Sequence, residues 1–357
     1  MLLYMPVKVY SEIDCVMNHG KEMAQFGKKA MIVTGKNSSK INSSLQDVVS
    51  VLAKNNIQYV IYDGIEENPS IETVMNARDV GIKENIEFVI GIGGGSPLDA
   101  AKAIAMMVAN PDESSDALYS SKSLNYLPIV CVPTTCGTGS EVTPYSILTI
   151  HKNRTKKSIP HKIYPTLALV DAKYIKYMSR ENLINTCTDA LAHLIESYLN
   201  TNSNDLNKIY AKEGLKIWSN FKTKLLEDTL TNENYVEMIH ASMIAGISIA
   251  HTQTSIPHGL SYSITYELGV PHGKAVGIFL AGFVKMYKDK MKVDELLSIL
   301  GFENVLDFGQ YMKTLLGEVQ VDEELMVRNV ESLLENKAKL KNYPFDITKN
   351  EMLGLLL

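Results

Sequence analysis

Four residues in the second half of the chain have the types and spacing of a metal cage. Asp189 and His193 stand four apart in TDALAHLIESY (188–198), where Leu191, Leu194, Ile195 and Tyr198 recur at helical spacing. Residues four apart share one helix face, so a carboxylate and an imidazole project side by side. His258 and His272 each lie between a proline and a glycine, Pro257-His258-Gly259 and Pro271-His272-Gly273, which reads as loop. One carboxylate and three imidazoles suit a divalent first-row ion such as Fe²⁺ or Zn²⁺. Taken alone, the Asp189–His193 pair reads first as an ordinary surface pair, because that spacing is common in helices.

Two turns in the first half have the composition of a nucleotide seat. Gly91-Ile92-Gly93-Gly94-Gly95-Ser96 follows the apolar run Phe88–Ile92 and precedes a helix from Pro97 to about Val108. Glycines permit close approach of the backbone, and the free N–H groups at a helix start attract a pyrophosphate. The pattern differs from G-x-G-x-x-G in having Ser96 at the end. Asp99, one turn into the helix, either meets a ribose or nicotinamide amide or complements the helix dipole. Pro133–Glu141 (PTTCGTGSE) follows the next strand and is dense in hydroxyls suited to ribose and phosphate. Two such turns after parallel strands would share one carboxyl edge, where open α/β sheets bind ligands.

The elements that must position these residues alternate regularly. Strands are expected at 29–34, Tyr59–Tyr62, Phe88–Ile92 and Leu127–Val132, with helices at Leu45–Lys54, Ile71–Glu84 and from Pro97. Such alternation indicates βαβ units and a parallel sheet. Tyr145–Ile150 and Ala168–Val170 are expected to pair near the sheet edge, and His151–Lys157 to form an exposed turn. From about Ser179 helices dominate: Asn182–Leu199, Asp205–Phe221, Asn232–His251, Ala275–Met286, Val293–Leu300, Val305–Leu316, Asp322–Leu340 and Thr348–Leu357. The reading is an α/β nucleotide-type domain with a parallel sheet over 1–178 followed by an all-helical domain over 179–357.

Bulk properties exclude several classes. The net charge of −5 has both signs interspersed, so nothing draws the chain to nucleic acid or an anionic membrane. Cys15, Cys131, Cys136 and Cys187 form no C-x-x-C pair, which points to reduced thiols. The opening MLLYMPVKVY has no basic n-region and is broken at Pro6, so it is not expected to be a signal peptide. A cytoplasmic protein is the expectation.

GGGSPLDAAKA (93–103), PTTCGTGSEVT (133–143), the Asp189/His193 pair and HGLSYSITYELGVPHGKA (258–275) together resemble the iron-containing (group III) alcohol dehydrogenases. The resemblance spans essentially the whole chain in order and spacing. It implies a Rossmann-like N-terminal domain and an all-helical C-terminal domain in a dehydroquinate synthase-like architecture, a bound nicotinamide cofactor, and metal ligation by Asp189, His193, His258 and His272. The candidate cofactor contacts are Gly93, Gly94, Gly95, Ser96, Asp99, Thr134, Thr135, Thr138, Thr143, Ile147 and Lys157. Family members commonly form homodimers, so a dimer is expected.

Three departures from the family pattern matter. Many members have a histidine, often assigned to proton relay, where this chain has Tyr262; the tyrosine either keeps a hydroxyl near the site or lines the pocket. Cys136 replaces a usual alanine and reads as packing. NAD-preferring relatives often carry Asp where this chain has Gly35. Loss of that charge, with donors at Ser38 and Ser39 and a cation at Lys36 or Lys40, favours NADP over NAD. The expected reaction is hydride transfer between the nicotinamide and a short-chain alcohol, diol or aldehyde. Alternatives are a phosphonoacetaldehyde-type reductase or a non-redox, dehydroquinate synthase-like lyase.

Overall fold

The computed structural model describes residues 3–153 and 155–356. Arg154, within the expected turn at His151–Lys157, and Leu357, at the end of the expected last helix, lie outside the described residues, as do Met1 and Leu2. The chain divides into two compact units: Met5–Met178, and Ser179–Leu357 together with Met1–Tyr4.

The first unit is built on six parallel strands: β1 (Lys8–Ser11), β2 (Lys29–Thr34), β3 (Gln58–Tyr62), β4 (Phe88–Gly93), β5 (Ile129–Pro133) and β8 (Leu167–Val170), in the order β1-β8-β5-β4-β2-β3. The inner strands β2, β4, β5 and β8 read as mainly apolar runs because both of their faces are covered. Met31, Val33, Val89, Ile129 and Cys131 face one core, with Leu98, Ala101 and Ile104 of the helix Gly95–Ala109. Alternate residues Ala30, Ile32, Phe88, Ile90, Ile92, Val130 and Val132 face the other, with Val48, Val51 and Leu52 of the helix Ser44–Lys54. Period-two alternation between two apolar layers is the signature of a parallel sheet buried on both sides.

The expected pairing of 145–150 with 168–170 is corrected. β6 (Ile147–Ile150) pairs antiparallel with β7 (Thr155–Ser158) in a separate two-stranded sheet. β8 lies inside the main sheet, between β1 and β5. The segment His151–Lys157 is therefore not simply an exposed turn, since Lys157 belongs to β7. Short apolar runs of four residues fit either sheet, and only long-range pairing chose between them.

The second unit is helical among its described residues. Its central helix, Arg180–Tyr198, starts at Ser179, whose hydroxyl accepts the Asn182 N–H, and it is buried over most of its length. It packs against the helices Asp205–Glu227, Asn232–Thr252 and His272–Gly277. The span expected as Ala275–Met286 is two helices, His272–Gly277 and Leu280–Met286, and Glu323–Glu335 is followed by a separate turn Lys337–Leu340. No helix among the described residues is long and apolar enough to cross a membrane.

Candidate functional site

Asp189 and His193 lie on the buried face of the helix Arg180–Tyr198. The loop reading of the other two histidines is corrected: His258 is the third residue of the helix Ile256–Leu268, and His272 opens the helix His272–Gly277. The prolines that suggested loops occupy helix N-termini, where a missing N–H costs nothing. Gly273 has a second use. A Cβ there would overlap the backbone carbonyl of Asn185, so only glycine lets the His272 helix meet the Asp189 helix backbone to backbone.

These elements bring three imidazoles around one carboxylate oxygen. Asp189 Oδ1 lies 3.3 Å from His258 Nε2, 3.7 Å from His193 Nε2 and 3.7 Å from His272 Nε2. Candidate ligand atoms of Asp189, His258 and His272 all fall within 4.8 Å of one another; His193 lies outside that group and joins it through Asp189 Oδ1. The rings of His193 and His258 stack at 4.5 Å, and His272 stands edge-on to His258 at 5.4 Å. Ligands held tetrahedrally at about 2.1 Å from an ion lie about 3.4 Å apart, so these spacings fit a divalent ion. Asp189, His193 and His258 are buried and His272 is half-buried. Burial works against ionisation of Asp189, but His193, His258 and His272 hold its pKa below the ordinary carboxylate value. Burial likewise opposes protonation of His258, but Glu196 and Asp189 push its pKa up to about 9. A buried carboxylate ringed by three imidazoles offers an anionic, nitrogen-rich donor set that an ion of the Fe²⁺ or Zn²⁺ kind accepts.

Glu196 belongs to this cluster, and sequence reasoning missed it. It is fully buried; Oε1 accepts the N–H groups of Ser255 at 2.9 Å and His258 at 3.2 Å, and Oε2 meets His258 Nδ1. The available signal was its place at i+7 from Asp189 and i+3 from His193, on the same helix face. Tyr262 stacks on His272, ring centroids 5.7 Å apart, and the Lys339 ammonium lies 5.9 Å from the Tyr262 ring.

In the sheet unit the two turns meet directly. β4 and β5 end side by side at Gly93 and Pro133, and the Thr134 N–H donates to the Gly93 carbonyl at 2.9 Å. Side chains at Gly94 and Gly95 would collide with Thr135 and Thr138, so the close approach of the turns requires both glycines. Thr134 and Thr143 are buried, while Ser96, Thr135, Thr138 and Ile147 are half-buried. Ser96 accepts the Asn68 N–H at 3.0 Å, and Thr138 accepts the Ser140 N–H at 3.2 Å.

Asp99 already accepts bonds on both oxygens, from Ser140 Oγ at 2.5 Å and the Ile147 N–H at 2.9 Å, and its neighbour Lys102 Nζ is at 3.5 Å. It is first a clasp between the turns; a ribose or carboxamide bond would be an addition. Lys102, not singled out from sequence, is fully buried and donates to Ser140 Oγ and the Tyr145 carbonyl, both at 2.7 Å. Cys136 is buried.

The expected donors after β2 divide. Gly35 is half-buried, and Lys36 and Ser38 are exposed. Ser39 is buried, with its hydroxyl accepting from Thr34 at 2.8 Å. Lys40 is paired with Asp63 at 2.8 Å. Lys157 sits on β7, exposed, with its ammonium 5.8 Å from the Tyr119 ring.

Comparison with known proteins agrees with this arrangement. The family model described as iron-containing alcohol dehydrogenase matches residues 6–172, and that of the family's C-terminal part matches 183–347. The chain belongs to the iron-containing alcohol dehydrogenase family. Among solved structures, an iron-containing alcohol dehydrogenase from Thermotoga maritima is 37% identical with a TM-score of 0.92, covering 99% of this chain and 98% of that one. The NADPH-dependent butanol dehydrogenase of Clostridium saccharobutylicum is 29% identical over 72% of this chain and 68% of its own length. The long-chain primary alcohol dehydrogenase of Thermoanaerobacter ethanolicus is 29% identical over 71% and 65%. The chain thus matches about two thirds of the length of these curated relatives. The dehydrogenase is an oxidoreductase, and its family implies a metal and a nicotinamide cofactor.

Proposed function

We propose that the dehydrogenase interconverts short-chain alcohols or diols and aldehydes, using NADP(H) and a divalent ion held by Asp189, His193, His258 and His272. The observation that carries the reading is the single carboxylate oxygen of Asp189 with three imidazole Nε2 atoms 3.3–3.7 Å away. When bound, the ion would supply Lewis acidity toward the substrate oxygen, and the nicotinamide the hydride. The donor set suits iron or zinc equally.

The protein's own residues do the rest. Asp189 supplies the cage's negative charge in a buried site, where charge is felt strongly. Tyr262, stacked on His272, is the candidate to hold a proton at its hydroxyl where many relatives carry histidine. The Gly93–Ser96 turn at the start of the helix Gly95–Ala109 would seat the pyrophosphate on its N–H groups. Preference for NADP is supported by Gly35, which puts no acid beside a 2′-phosphate, and by exposed Lys36 and Ser38. The Clostridium relative named for NADPH supports the same choice. The expected setting is a cytoplasmic homodimer.

The test is Asp189→Ala, measured for metal content and for NADPH oxidation with a panel of short aldehydes. Loss of both together is expected, because three neutral ligands remain. Normal metal content with a normal rate would remove the assignment.

A further inference from the structure

The metal ligands do not hold themselves. His258 lies on a different helix from Asp189, and its ring has one nitrogen at each of two carboxylates: Nε2 at Asp189 Oδ1, 3.3 Å away, and Nδ1 at Glu196 Oε2. Asp189, His193 and Glu196 occupy positions i, i+4 and i+7 of one helix, so they form a single face. The other oxygen of Glu196 accepts the N–H groups of Ser255 and His258, at the very start of the helix Ile256–Leu268. One buried carboxylate therefore caps the His258 helix and grips the His258 ring.

We propose that Glu196 is a positioning residue for the metal centre: it fixes His258 as the tautomer protonated at Nδ1, leaving the Nε2 lone pair for the ion. This rests on the metal-centre reading above. Of the groups facing His258 Nδ1, Glu196 is an acceptor only, so the ring nitrogen it meets must donate. A histidine ligand commonly gives its second N–H to a carboxylate in this way, and removing that partner weakens metal binding about 10–100-fold.

Glutamine separates this role from mere filling of space, since Glu196→Gln preserves shape. Its amide oxygen satisfies either the two backbone N–H groups or the Nδ1–H, not both. With the oxygen on the backbone, the amide NH₂ faces Nδ1, which must become the acceptor; the proton then moves to Nε2 and blocks ligation. With the amide flipped, its NH₂ opposes the helix N–H groups, donor against donor.

Two measurements decide the matter. Zn²⁺ affinity is measured by competition with a chromogenic chelator for wild type, Glu196→Gln and Asp189→Ala. Glu196→Gln should bind at least about tenfold more weakly than wild type; a smaller loss overturns the proposal. Long-range ¹H–¹⁵N spectra of zinc-loaded wild type, which depend on no variant folding, should show His258 protonated at Nδ1; a proton on Nε2, or Nδ1 bound to zinc, overturns it. If Asp189→Ala loses zinc while Glu196→Gln keeps it, the positioning role fails and the metal centre stands. If Asp189→Ala itself binds zinc normally, the underlying reading falls and takes the proposal with it.

Discussion

Replacing Lys102 with methionine should destabilise the sheet unit. The Lys102 ammonium is fully buried, bonded to Ser140 Oγ and the Tyr145 carbonyl at 2.7 Å each and lying 3.5 Å from Asp99 Oδ1. Methionine fills the space of the stem but brings neither charge nor donor. Two hydrogen bonds to a charged group contribute about 1.5–3 kcal/mol each, and removing one partner of a buried ion pair costs about 3–5 kcal/mol. These figures describe the same contacts and are not summed. The expected destabilisation is at the lower end, about 3 kcal/mol, because Asp99 can escape by taking a proton. Burial already raises the Asp99 pKa despite Lys102. Adding Asp99→Asn should recover part of the loss, giving a coupling of about 1–3 kcal/mol. Trp218 belongs to the other unit, so the assay is hydrogen exchange in peptides spanning 93–109 and 133–147. Exchange indistinguishable from wild type, or additivity of the two changes within about 0.5 kcal/mol, would refute the reasoning.

Two further outcomes follow from the same unit. At Gly35 a Cβ would sit 3.4 Å from the Ile65 carbonyl, so aspartate needs little adjustment; Gly35→Asp should weaken NADPH binding by at least about tenfold (~1.4 kcal/mol) more than NADH binding. Fluorescence titration checks this, and equal weakening of both cofactors removes the NADP argument. Burial pushes the Glu141 carboxyl from its ordinary 4.5 up to about 7, only partly offset by its own backbone N–H and Lys102. The folded state then binds the proton more tightly than the unfolded chain, so stability falls as pH rises from about 4.5 to about 7, by about 3 kcal/mol. Glu141→Gln should abolish that slope in denaturant melts; an unchanged slope would assign it to another group.

Much of this was legible along the chain, and what was legible was local. Met31 and Ile32 alternate between two apolar layers, so strand and parallel sheet could be read from 29–34 alone. Val305–Leu316 shows its helical period without help from neighbours. Asp189 and His193 announced a shared helix face by spacing. The failures are nonlocal. Pro257-His258-Gly259 looks like loop because its helix is capped by Glu196, 62 residues earlier, which no window around His258 contains. Residues 155–157 looked like part of an exposed turn until β6 paired with them.

The order of residues alone determined most of the strands and helices and which chemical groups are available: one carboxylate and three imidazoles in the helical half, two glycine and hydroxyl turns in the sheet half. Backbone propensity and apolar period act over a few residues and are written in consecutive positions. Only the tertiary structure decided that β8 sits inside the sheet, that Lys102 and Asp99 clasp two turns, and that Glu196 faces His258. Those choices come from burial, where each polar group must find its partner wherever the chain happens to bring one.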